Sequence, residues 1–181
     1  MDNVTLWQLV DTSVKVGLGA LVAGLSAWIM ARRRPAGTKP ANARANKRLA
    51  TLEAISADVG NITHIFAKYS ALAIESIRFG HRWPPARKQE FDAVNLELVA
   101  EFKKMADAEA KLLMLGEKGL EKTLRLYGAK IAHFRKQVYV GRKDISSQEI
   151  ADIKQDISKL REQFYDLLSK KYDKMLVEAA A

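Results

Sequence analysis

The residues of this chain best suited to chemistry are three histidines and many scattered carboxylates, and their spacing assembles no recurrent catalytic or metal site. His64, His81 and His133 are the candidate ligands or general bases. A di-iron centre in a helical bundle needs paired Glu-x-x-His motifs. Asn61 occupies the glutamate position before His64, and Lys130 the one before His133. No His-Glu-x-x-His pair is present, no Gly-x-x-x-x-Gly-Lys-Ser/Thr phosphate loop, and no Gly-x-Ser-x-Gly elbow. The chain has no cysteine, which removes disulfides, thiolate metal sites and a cysteine nucleophile. Carboxylates alternate with lysines, as in Glu117-Lys118 and Glu121-Lys122, and nothing selects a catalytic pair among them. The expectation is a non-enzyme with no catalytic residues, no cofactor and no metal. By helical phase, His64 and His133 sit beside apolar seams, where one hydrogen bond satisfies each ring.

Two further features carry recognition chemistry. Asn61-Ile62-Thr63 matches the N-glycosylation pattern, but Ile62 falls on a buried seam of a segment assigned to the cytoplasm, so the match reads as chance. The segment holding Arg78, Phe79, His81, Arg82 and Trp83 combines an indole with guanidinium groups, the side chains that interfaces favour as anchors. Arg78, His81, Arg82 and Trp83 are therefore a possible partner-binding set. The competing reading has Trp83 closing the end of its own bundle.

The elements that must position these residues begin with an apolar segment. Val16 to Ala31 is a run of sixteen uncharged residues, extended backward by Val14, Val10, Leu9, Trp7 and Leu6. A bilayer span needs about 20 residues at 1.5 Å each. Lys15 can snorkel to the interface and pair with Asp11 one turn away. Trp7 and Trp28 are separated by about 31 Å of helix rise, which suits two interfacial belts. Residues 1–31 are thus read as a short tail and a transmembrane anchor. A cleaved signal peptide would carry its positive charges before the apolar run, whereas Arg32, Arg33 and Arg34 follow it. The same asymmetry places the N-terminus outside and the C-terminal domain in the cytoplasm. Ser13, Gly17, Ala20, Gly24, Ala27 and Ala31 form a small-residue seam at steps of four and three, a candidate helix–helix contact in lipid.

The net charge is +9, and most of the excess is local. Arg32, Arg33, Arg34, Lys39, Arg44, Lys47 and Arg48 lie in one stretch with no acid among them. Residues 32–44, with Pro35 and Pro40, read as a basic Pro/Gly linker whose charges meet anionic lipid headgroups, each contributing roughly 1 kcal/mol. No aromatic interleaves the strip to stack bases, so nucleic acid is the weaker partner for it.

Residues 45–181 are expected to be a cytoplasmic bundle of long antiparallel helices, about 45–79, 86–115, 120–140 and 147–177. Leu52, Ile55, Val59, Ile62, Phe66, Tyr69 and Ala73 alternate steps of three and four, a heptad seam. Ile65, Leu72 and Ile77 widen it. Phe91, Val94, Leu98, Phe102, Met105, Ala108, Leu112 and Leu115 make the second face, and Leu120, Leu124, Tyr127, Ile131, Phe134 and Val138 the third. Ser146 with Glu149 is a capping box, flanked by Ile145 and Ile150 as a hydrophobic staple. The last face is Ile150, Ile153, Ile157, Leu160, Phe164, Leu167 and Leu168, reaching toward Leu176. The fold class is all-α: one N-terminal transmembrane helix followed by an antiparallel bundle or coiled-coil domain. The expected function is a non-catalytic, membrane-anchored tether or scaffold that recruits partners or assembles as a homo-oligomer at the cytoplasmic face. The alternatives are an oligomerising membrane-active effector of pore-forming or holin-like type, and a membrane-tethered nucleic-acid module.

Overall fold

Four α-helices and one short 3-10 turn account for nearly all of residues 40–180, which are the residues described by the computed structural model of this chain, with side chains over 43–177. The helices are α1 Pro40–Phe79, α2 Pro85–Met114, α3 Lys118–Gln137 and α4 Ser147–Ala180. Among the described residues there is no strand, and no helix is long and apolar enough to cross a membrane. The expected anchor of residues 1–31 lies outside the described residues.

The helix ends follow local chemistry. α1 begins at Pro40, five residues before the expected start, because proline is tolerated at the first helical position and the following alanines propagate a helix readily. α2 opens the same way on Pro85, after an extended Pro84. It closes in a Schellman motif: Gly116 N–H donates to Leu113 O (3.0 Å) and Glu117 N–H to Leu112 O (2.9 Å), with Gly116 at φ +79°. α3 starts at Lys118, with Gly119 inside its first turn. It stops at Gln137 rather than near residue 140, and Val138 is already extended. Arg142 Nη1 caps the terminal Gln137 carbonyl (2.5 Å). At the start of α4 the capping box forms as read: Ser146 Oγ accepts from Glu149 N–H (3.1 Å), and Ser146 N–H donates to Glu149 Oε2 (2.8 Å). Ile150 is buried and Ile145 packs partly against the core, as a staple requires.

The helices run up, down, up and down. α2 returns along α1, with Tyr69 against Phe91 near one end and Arg48 Nη2 donating to Leu115 O (3.1 Å) at the other. α3 returns along α2, where Arg135 Nη2 bonds Asn95 Oδ1 (2.7 Å) and Met105 lies against Gly128. α4 returns along α3 through Lys130–Asp156 (2.7 Å) and Lys171–Glu117 (2.6 Å). It closes on α1, where Tyr165 Oη donates to Ser56 O (3.3 Å) and Tyr172 Oη to Glu53 Oε1 (2.7 Å). Across the middle, α1 and α3 meet directly: Phe66 and Phe134 stack edge to face at 5.1 Å, and Thr63 and Tyr127 share a hydrogen bond of 2.8 Å. At 1.5 Å per residue α3 spans only about 30 Å. α1 and α4 are longer, at 40 and 34 residues.

The seams of α1 and α3 are buried at every expected position. Those of α2 and α4 differ in detail. Phe102 and Leu115 are only half-buried, and Glu101, next to Phe102, is buried and paired with Lys104 (2.6 Å). On α4 the buried positions are Ile150, Ile157, Phe164, Leu168 and Met175, while Leu167 and Leu176 face outward. The physical reason is helical phase. Two seven-residue steps lag by about 20° each on a straight helix, and the four-residue step from Phe164 to Leu168 recovers that lag.

Candidate functional site

The bundle has two ends, and the cations are used differently at each. At the α1–α2 corner the chain passes through the Gly80–Arg82 turn into Trp83. The Trp83 indole N–H donates to Glu75 Oε1 (3.0 Å), and its ring stands edge to face on Phe91 at 6.1 Å. Arg87 Nε donates to the same oxygen (3.0 Å), its Nη2 meets the other Glu75 oxygen, and its Nη1 meets Glu90. The guanidinium, and after it the indole, hold the Glu75 carboxyl below its usual range, while Glu75 in turn raises Arg87. Trp83 is half-buried against the core, whereas Arg78, His81 and Arg82 are exposed. The structure thus directs the aromatic member of the expected partner-binding set inward and leaves its three polar members outside.

At the opposite end, the first turns of α1 and the last turn of α2 enclose a cleft of about 670 Å³. Arg44, Lys47, Arg48 and Lys111 line it with Thr51, Leu113, Met114, Leu115 and Gly116, and no acid is among them. Arg48 is engaged in capping α2 through Leu115 O. Among the described residues, Arg44, Lys47 and Lys111 have no carboxylate within ion-pair distance. Because the Schellman turn ends α2 abruptly, Met114 and Leu113 project beside these cations, 87% and 51% exposed.

The sequence pointed to Arg44, Lys47 and Arg48 but not to Lys111, Leu113 and Met114, which α2 brings to them by running antiparallel to α1. A signal was present in the Gly116 stop and the short connection, which together imply that reversal. The membrane-segment candidates, Trp7, Lys15, Trp28, Arg32, Arg33, Arg34 and the seam from Ser13 to Ala31, lie outside the described residues. His64, His81 and His133 are each exposed, on α1, the 3-10 turn and α3. Among the described residues, no three His, Asp or Glu side chains converge as metal ligands. A second groove, between α1 and α4, is bridged by Tyr165 and Tyr172 and lined also by Glu53 and Asp173. The hydrogen bond to Glu53 pushes the Tyr172 hydroxyl up.

Comparisons of the chain with models of protein families, with curated proteins and with solved structures give no match.

Proposed function

We propose that this protein is a non-catalytic, membrane-anchored helical tether that assembles partners or copies of itself at the cytoplasmic membrane face. One observation carries the reading: positive charge is concentrated along the chain leading into α1 and at the bundle end where α1 begins. Arg32 to Arg48 contains seven cations and no acid, and three of these join Lys111 around the cleft. Charge so placed follows an apolar run of sixteen residues, the order expected of a single-pass anchor with its N-terminus outside. Anionic headgroups are the ligand class that fits, since each basic group near such a surface contributes roughly 1 kcal/mol. The long helices then carry the Trp83 end away from the cleft.

A topology reporter fused after Ala181, combined with carbonate extraction of membranes, tests the reading. Reporter activity on the cytoplasmic side with the chain retained in the extracted membrane supports it. Release of the chain by carbonate, or an external reporter, overturns it.

A further inference from the structure

α2 has a second stripe on the face turned away from the core. Leu96, Val99, Lys103, Ala106, Ala110 and Leu113 recur at alternating steps of three and four, and all six are exposed. Leu96 is 71% exposed, Val99 49% and Leu113 51%, with Met114 beside them at 87%. An outward heptad seam on a helix whose inner seam already fills the core is a surface for another helix. Its apolar ends flank a single cation, Lys103, at the centre. Asp107 lies one turn further on the same edge.

This pattern is self-complementary in one orientation only. When two α2 helices pair antiparallel, Leu96 faces Leu113 of the second copy, Val99 faces Ala110, and Lys103 faces Ala106. Met114 then lies along Leu96 of the second copy, and Ala100 along Ala110, small against small. Lys103 reaches Asp107 of the second copy, and the two-fold symmetry makes that ion pair twice. Parallel pairing would set Lys103 against Lys103 at the centre of the seam, with like charges directly opposed. A lone charged residue in such a seam costs stability and selects orientation and register.

We infer that α2 is an isologous, antiparallel homodimer interface, with Leu96, Val99, Leu113 and Met114 as its apolar contacts and Lys103–Asp107 as its orienting pair. The inference goes beyond the tether reading: it names a second copy as partner and stands on the bundle surface alone.

The chain has no cysteine, so single introduced thiols report the geometry directly. Full-length chains carrying Leu96→Cys or Leu113→Cys, distinguished by tags, are co-expressed and oxidised in whole cells, with Glu162→Cys on the exposed face of α4 as the collision control. The expected result is a disulfide between the two different variants at least about tenfold above either self-crosslink and above the control. Crosslinking of each variant mainly to itself, or crosslinking no stronger than the control, overturns the inference. Lys103→Asp or Asp107→Lys alone should reduce the mixed crosslink about tenfold, and the two together should restore it to within about twofold. Failure of that rescue also overturns the inference. All these positions are exposed in the single chain, so each variant should keep the helical content of the parent by circular dichroism. The tether reading is decided separately by topology and carbonate extraction, so either idea can fail without the other.

Discussion

The two ends of the bundle use similar residues to opposite effect. At the Trp83 end, a tryptophan, an arginine and two glutamates satisfy one another, and the aromatic ring packs on Phe91. At the cleft end, four cations gather without an acid in the lining, and the apolar side chains point outward. The number of arginines in a segment therefore does not identify a binding surface. What does is whether the bundle supplies a counter-charge, and at Arg87 it does, through Glu75 and Glu90. Arg48 stands between these cases, since its guanidinium caps the α2 carbonyl while its charge still lines the cleft.

Substitutions at each end sharpen that contrast. The largest effect is expected from Arg44→Gln, Lys47→Gln and Lys111→Gln combined in residues 41–181, the span of one compact unit. With each charge contributing roughly 1 kcal/mol, binding to anionic vesicles should weaken by about 100-fold at an unchanged melting temperature. Unchanged vesicle binding would break the comparison. Next, Trp83→Ala should lower stability by about 2 kcal/mol, since it removes a half-buried ring and one of the donors to Glu75. In the single bundle, at a protein concentration too low for pairing, Met114→Ala should shift it by less than about 0.5 kcal/mol, a pair of values that chemical denaturation can separate.

A smaller effect is expected at the glycines, where one substitution takes opposite signs. Gly116→Ala should destabilise by about 1 kcal/mol because its backbone is left-handed. Gly60→Ala should stabilise by up to about 1 kcal/mol, because Gly60 lies inside α1 and an added methyl meets only the Tyr165 hydroxyl at 3.9 Å. The smallest effect is that of pH. Glu75 has its carboxyl depressed below the usual 4.5, so its contribution is present above that pH and is lost as pH falls through the depressed value. Thermal melts between pH 6 and about pH 2 should therefore decline less steeply for Glu75→Gln than for the parent. Asp156, depressed by Lys130, should leave part of that decline in place.

Much of the fold was legible because its determinants are local. Every position that the three-four spacing marked on the α1 and α3 seams is buried, and Ser146 with Glu149 marked the start of α4 as the structure forms it. Pro40 lies within the expected linker of residues 32–44, yet it opens a helix: proline breaks a helix interior but not a first turn. On α4, choosing between Leu167 and Leu168, or between Met175 and Leu176, depends on accumulated rotation over several turns, which a run of adjacent apolar residues does not reveal. Trp83 could not be assigned from residue type, because indole and guanidinium serve a bundle end as well as an interface.

The sequence by itself determined which stretches are helices, where most of them stop, and that the basic excess sits between Arg32 and Arg48. These depend on side-chain period, capping groups and charge order along a few consecutive residues. Only the tertiary structure decided that Lys111, Leu113 and Met114 join Arg44 and Lys47, that Glu75 neutralises Arg87, and that one face of α2 is turned away from the core of the described residues. Each of those is set by how the helices are rotated against their neighbours, and that rotation is fixed by packing across the whole core rather than by any local run of residues.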